Sequence, residues 1–342
     1  MRKLRRLALA GVAGMVAMSL LSGASTVAVA GARYIDLDKV PKPKITGKQI
    51  VDGLDEFVNK FPLRQNRLPN NIAAADFLAQ EAKKYGYDVK VLKYMVGTPA
   101  RETRVIQAVK EGTKFPDEWI AFIAHYDIVA PDGVGATVQG AYDDGSGTNM
   151  LRFFAKAFSK QPMKHSIAIL WFDSEEQGLL SSRAYTEELA KKGQKITAGF
   201  GFDMVGIGYP ARYCICIYHG PSPADAGIAQ SVIDYVNFDY FKFPEGDGGA
   251  GAQYKWPLGT EGHVCNCGPN IRNSDESSFA DKGWFTMRWT GMRTAADYPG
   301  YHQPWDTMSF IDLVAGSRAN FEQGSENTFK SAYYTTFVID NL

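Results

Sequence analysis

The sequence predicts an α/β protein, a single three-layer αβα domain whose central sheet is mixed, mostly parallel and flanked by helices. Three observations carry this expectation. Short runs rich in Val, Ile, Phe and Trp alternate with segments whose apolar residues recur at helical spacing. The run Ser166 to Phe172 is apolar at nearly every position, as a strand buried on both faces requires. The later strands are separated by helix-length intervals, which parallel pairing needs and a hairpin does not.

Residues 1–30 read as a cleaved signal peptide. Met1 to Arg6 is basic, Leu7 to about Ala24 is apolar but diluted by Gly, Ser and Thr, and Ala28-Val29-Ala30 has the small-x-small pattern of a cleavage site. Export to a periplasm or to the outside is therefore expected. No later run reaches the roughly 18 uninterrupted apolar residues of a membrane span, so no membrane contact is expected after cleavage. Residues 31–45 contain Pro and Lys and read as an extended segment ahead of the folded domain, 46–342.

In that domain, Thr46 to Gln49 opens a helix with Ile50, Leu54 and Phe57 on one face, ending near Phe61-Pro62. Asn71 is expected to cap a second helix, which Gly86 stops. Val89 to Tyr94, Thr103 to Val109 and Trp119 to Ala124 read as strands, and Gly147 to Phe158 as a helix. After the apolar strand ending at Phe172 come a helix from Gln177 to Lys191 and a strand from Ala198 to Met204. The pattern then loosens. A Cys-containing strand and a helix near Ala224 to Asn237 precede a Gly-, Tyr- and Pro-rich stretch. The whole segment 212–273 reads as a pocket-shaping region. Trp284 to Trp289 is the last expected strand, and a helix is expected from Ile311 to the C-terminus.

Composition excludes some functions. Apolar residues make up 45% of the chain, enough for a full core. Acidic and basic residues balance at 37 each, and four of the basic ones lie in the leader, leaving a mildly acidic domain. That balance excludes a nucleic-acid binder, which needs a basic face. Cys214/Cys216 and Cys265/Cys267 form two Cys-x-Cys pairs. Residues i and i+2 of a strand face one way, so two disulfides between the segments are expected. A four-thiolate zinc is the other arrangement these spacings allow, and connectivity stays open.

The residues with chemistry sit at the ends of the expected strands. His125-Tyr126-Asp127 ends the strand from Trp119; a carboxylate two residues beyond a histidine can hold its second ring nitrogen. Asp143-Asp144-Gly145-Ser146-Gly147 opens the next helix; alone it would be a turn in which Ser146 helps to cap, with Asp144 a structural neighbour. Glu175-Glu176 follows the apolar strand, a costly place for a merely solvated acidic pair. Asp203 ends the next strand. Tyr301-His302-Gln303-Pro304-Trp305-Asp306-Thr307 precedes the C-terminal helix. His165, His219 and His263 lack comparable carboxylate company and read as structural or surface residues.

This ordered set resembles the M28 family of dizinc aminopeptidases, from about Ile50 to the C-terminus and most strongly between Trp119 and Gly206. The resemblance implies an M28-like catalytic domain over 46–342 holding two Zn²⁺. His125, Asp203 and Asp143 would hold one ion, and Glu176, His302 and Asp143 the other, with Asp143 bridging. It implies a cis peptide at Asp143–Asp144, Glu175 as general base for a dizinc-bound hydroxide, and Asp127 behind His125. Tyr301 is a candidate donor to the oxyanion. The substrate implied is a peptide with a free N-terminus. In Ser274-Asp275-Glu276-Ser277-Ser278-Phe279 the chain departs from the family, because Glu276 stands where a histidine is usual; this bears on the substrate side. Glutaminyl cyclisation, a carboxypeptidase or dipeptidase activity, and a non-catalytic binding protein are the alternatives on the same fold.

Overall fold

The computed structural model describes residues 34–130, 138–208, 214–242, 264–269, 273–291 and 297–342. The expected leader and His263 lie outside the described residues. Helix α1 (Gly47–Lys60) starts as expected, with Thr46 and Gln49 forming a reciprocal capping box that satisfies two otherwise orphaned N–H groups. Helix α2 (Pro69–Lys84) starts earlier than predicted: Leu68 is its cap residue and Pro69 supplies the preset first turn. Asn71 is not a cap. It is buried, and its amide donates to Arg64 O at 3.0 Å and to Asp173 Oδ1 at 2.9 Å.

The sheet is built from β1 (Asp88–Val96), β2 (Arg101–Lys110), β3 (Phe115–His125), β4 (His165–Phe172), β5 (Lys195–Phe202), β6 (Ile215–His219), β7 (Val264–Pro269) and β8 (Thr286–Thr290). Their spatial order is β1-β2-β4-β3-β5-β8-β6-β7. The pairs β3–β4, β3–β5, β5–β8 and β6–β7 are parallel, and the other three are antiparallel. The chain goes from β3 to β4 on one side and then to β5 on the other, so strand order reverses at β3. In an open α/β sheet a ligand crevice forms at such a point, outside the carboxyl ends of the strands.

Helices cover both faces. α3 (Ser146–Phe158) packs with α1, α2 and α8 (Arg318–Asp340) on one, and α4 (Leu180–Lys191) with α6 (Glu276–Ala280) on the other. Along β3, Ile120, Phe122 and Ala124 join the larger core while Ala121 and Ile123 join the smaller one, as period-two geometry demands. The C-terminal region is two helices, not one. α7 (Met308–Val314) stops at Gly316, whose φ of 81° suits a residue without Cβ, and the Ser317 side chain caps α8 by accepting Asn320 N–H.

Near the other edge, α5 (Pro223–Ile233) continues into a π-helical turn, Asp234–Tyr240. Cys214, Cys216 and Tyr218 share one face of the β6 edge, and Cys216 is bonded to Cys267 with Cα atoms 5.4 Å apart. Cys214 is disulfide-bonded as well, and the Cys265 side chain lies outside the described residues. His165 does have carboxylate company: its Nδ1 is 3.0 Å from Asp340 Oδ1, tying the start of β4 to α8. His219 is buried with Nδ1 2.6 Å from Gly220 O.

Candidate active site

Three neighbouring parallel strands end at one level. His125 pairs with Phe172, and Ile123 with Gly201, so His125, the Asp173–Glu176 turn and Asp203 emerge side by side. Just past these strand ends, and again at His302, non-glycine residues take left-handed backbone: Ser174 (φ 62°), Met204 (φ 51°) and His302 (φ 56°). Such conformations are sparse in ordinary turns and cluster where side chains must be aimed.

The side chains converge. His125 Nε2 lies 3.5 Å from Asp143 Oδ1, 3.8 Å from Asp203 Oδ1 and 4.0 Å from Glu175 Oε2. His302 Nε2 lies 3.3 Å from Asp143 Oδ2 and 3.0 Å from Glu176 Oε2. Asp143 therefore faces one histidine with each oxygen. Within this cluster His125, Asp143 and Glu176, and separately His125, Glu175 and Asp203, present one donor atom each within 4.8 Å of one another. These groupings cut across the expected division of ligands, because Glu175 stands as close to Asp203 and His125 as a ligand would. Asp143 Oδ2, Glu176 Oε1, Asp203 Oδ1 and His302 Nε2 are buried without a hydrogen bond of good geometry. Imidazole nitrogens and carboxylate oxygens left in this condition are the donor chemistry of zinc, so the residues present fit a metal site.

The charges say the same. Burial opposes a charged His125, yet Glu175, Asp127, Asp143 and Asp203 hold its pKa well above normal. His302 is likewise raised, to about 10: burial opposes it, but Asp143 and Glu176 prevail. Asp143 is held down to about 2, its burial outweighed by the two histidines. Burial pushes Glu176 up to about 7 and Glu175 well above the carboxylate range. Without cations, protons must neutralise this cluster.

The turn carrying Asp143 is held from behind. The peptide Asp143–Asp144 is cis. Gly145 is the cap residue of α3, and Asp144, not Ser146, satisfies an N–H of its first turn: Oδ1 accepts Gly147 N–H at 2.8 Å and also Met204 N–H at 3.2 Å, next to Asp203. Ser146 Oγ instead donates to Tyr142 O and accepts Val205 N–H. Asp127 Oδ1 lies 3.5 Å from His125 Nδ1 and accepts Glu175 N–H at 3.2 Å. Tyr301 stacks on the His302 ring, centroids 3.7 Å apart, and burial with the surrounding carboxylates pushes its phenol pKa up.

Other residues were not singled out by sequence reasoning. Arg64 is fully buried and donates to the carbonyls of Tyr126, Phe61, Gln139 and Gly140, at 2.7 to 3.0 Å. Burial lowers its pKa to about 10, against Asp306, Asp144, Asp127 and Asp143, so it remains a cation behind the acidic cluster. Asp306 is buried and accepts N–H groups of Tyr142 and Asp143; burial raises its pKa to about 7. Nothing in the loop sequence around Arg64 marks it, whereas Asp306 sits four residues past His302 in the same string. Glu276, the departure from the family pattern, is 3.4 Å from Arg288 on β8, and both are buried. A Cβ at Gly201 would lie 3.0 Å from the Glu276 Cβ, so glycine there makes room for it. Burial pushes neighbouring Asp275 up to about 8.

Residues 104–321 match the model of peptidase family M28. Aminopeptidase YwaD of Bacillus subtilis (strain 168) is 27% identical over 202 residues, 58% of this chain and 38% of its own. Aminopeptidase Y of Saccharomyces cerevisiae is 34% identical over 102 residues, 30% of this chain and 18% of its own. The matched stretch thus spans less than half the length of either relative. Among solved structures, the zinc aminopeptidase BSAP from Bacillus subtilis superposes with a TM-score of 0.64 at 14% identity, covering 86% of this chain and 96% of that one. An Acidobacteriales bacterium glutaminyl cyclase superposes with a TM-score of 0.65 at 17% identity, covering 90% and 99%. The two likenesses share a fold and do not choose between those reactions. The family match covers more than half of the chain and includes every proposed ligand and Glu175, so this chain belongs to peptidase family M28.

Proposed function

We propose that the protein is an exported aminopeptidase that holds two zinc ions and releases the N-terminal residue of peptides. One observation carries this reading: each oxygen of Asp143 faces a different histidine, with Asp203 beside the first and Glu176 beside the second. His125, Asp143 and Asp203 would hold one ion, and Asp143, Glu176 and His302 the other. Zinc bound there supplies polarisation of the scissile carbonyl and a lowered pKa for the attacking water.

The chain's own groups supply the rest. Glu175 Oε2, 4.0 Å from His125 Nε2, takes a proton from the attacking water and returns it to the departing amine. Asp127 anchors the base through the Glu175 N–H and orients the His125 ring, whose Nδ1 lies 3.2 Å from the Asp127 backbone carbonyl and 3.5 Å from the Asp127 carboxylate. Tyr301, kept protonated by its burial and by the carboxylates around it, donates to the developing oxyanion.

The test is zinc content and turnover of the purified chain. Two zinc ions per chain, hydrolysis of aminoacyl-nitroanilides and loss of that activity with chelator are expected. A folded protein that takes up no zinc from buffer would sink the reading. The likeness to glutaminyl cyclases raises a second one, cyclisation of N-terminal glutamine. A single tightly held zinc together with cyclase turnover would favour it.

A further inference from the structure

Asp306 joins two parts of the site that are far apart in sequence. It is 2% exposed, and its carboxylate is fully engaged. Oδ1 accepts the N–H of Tyr142 at 2.9 Å and the hydroxyl of Tyr298 at 2.7 Å. Oδ2 accepts the N–H of Asp143 at 3.0 Å and that of Tyr142 at 3.2 Å. Its backbone carbonyl accepts Ala141 N–H at 3.2 Å. Three consecutive N–H groups leading into Asp143 therefore end on one residue. The Tyr142 and Tyr298 rings pack 4.8 Å apart and close the arrangement from the side.

Asp306 also belongs to the loop that carries His302, and its own N–H donates to Gln303 O at 3.1 Å. The His302 loop and the Asp143 turn are thus held in register by a single side chain. We infer that Asp306 is a positioning residue that sets the bite of Asp143 between His125 and His302. This rests on the dizinc reading above. A bridging carboxylate tolerates displacements of only about half an ångström, and a short, bidentate acceptor on adjacent N–H groups gives that rigidity. Asparagine keeps the size but puts an NH₂ donor in place of one acceptor oxygen, so the bonds that end on that oxygen are lost and the turn is freed to rotate.

The experiment is a zinc titration of chelator-stripped protein against a competing chromophoric chelator, for wild type, Asp306→Asn and Tyr298→Phe. Wild type should take up two ions. Asp306→Asn should bind zinc about 10- to 100-fold more weakly, the usual cost of losing an outer partner of a ligand. The weaker-held ion should leave first. Tyr298→Phe removes one hydroxyl bond to Asp306 Oδ1 and should weaken zinc by about 2- to 10-fold; it also serves if Asp306→Asn does not fold. Two ions in wild type with unchanged zinc affinity in either folded variant, even at a lowered melting temperature, makes Asp306 merely structural and overturns the inference alone. Fewer than two ions in wild type overturns the dizinc reading and the inference with it.

Discussion

The Asp127 carboxylate accepts the backbone N–H of Glu175 at 3.2 Å, reaching from the end of β3 to the turn after β4. The same oxygen stands 3.5 Å from His125 Nδ1. The Asp127 backbone carbonyl is nearer that ring nitrogen, at 3.2 Å, so one residue orients the imidazole and pins the Glu175 backbone. Asp127→Ala should lower zinc affinity about 10- to 100-fold and reduce kcat at saturating zinc as well. Zinc titration and steady-state kinetics on the same preparation check this. A variant impaired in only one respect would show that the two contacts are independent.

Glu175 lies as near to Asp203 and His125 as a ligand would, so its role needs its own test. As a general base it is dispensable for metal binding. Glu175→Ala should keep both zinc ions while kcat falls by about 10²- to 10⁴-fold. Elemental analysis beside kcat separates the roles, since loss of zinc would make Glu175 a ligand.

The metal-free protein should lose stability as pH rises. Glu176 and Asp306 are raised to about 7 and Asp275 to about 8, in each case chiefly by burial. A folded pKa above the unfolded one means that the fold binds the proton more tightly. The contribution is complete below the unfolded carboxylate range, near pH 4, and is lost as pH climbs through about 7 to 8. His302, raised to about 10, acts in the same direction over a higher window. Melting of chelator-treated protein should therefore fall from about pH 5 to 8.5, while saturating zinc flattens the curve by replacing protons with cations. A metal-free melting temperature that rises across this window contradicts the assignment.

Gly147 seats the first turn of α3 against the end of β5. A Cβ there would come within 2.2 Å of Phe202 O and 2.6 Å of both Asp144 carboxylate oxygens. Backbone cannot give way as a flexible side chain can. Gly147→Ala should destabilise the chain by about 1–3 kcal/mol. It should weaken zinc too, because Asp144 holds Met204 beside Asp203. Denaturant unfolding and zinc titration measure the two effects, and a neutral result would mean that the α3–β5 contact relaxes freely.

Much of the candidate site was legible because His125, Glu175-Glu176 and Asp203 lie where apolar runs stop, while Asp143 and His302 lie on turns that precede helices. Strand ends are marked locally, by where an apolar run stops, and the chemistry of His, Asp and Glu is intrinsic to the residue. Boundaries failed where a local signal had competition. Asn71 has the side chain of a helix cap, but Pro69 had already begun the helix and buried Asn71 against Asp173. Ser146 could cap, but Asp144 reaches the α3 N–H group first. The C-terminal helix divides at Gly316 and Ser317, small residues that look harmless inside a helical pattern.

The alternation of strands and helices, the αβα layering and the candidate metal-binding residues were thus present in the amino-acid string, whereas β7 lay hidden in the Gly-, Tyr- and Pro-rich stretch. What it left open were the relations among distant segments. Strands as uniformly apolar as β3 and β4 do not declare which face meets which helix; packing decides that. Hydrogen bonds from the Asp143 N–H to Asp306 and from Arg64 to the carbonyls of Tyr126 and Gly140, and the Glu276–Arg288 ion pair, join residues with no sequence periodicity between them. Burial decides the rest. A carboxylate that is unremarkable in water must find a donor, a cation or a proton once the sheet closes over it.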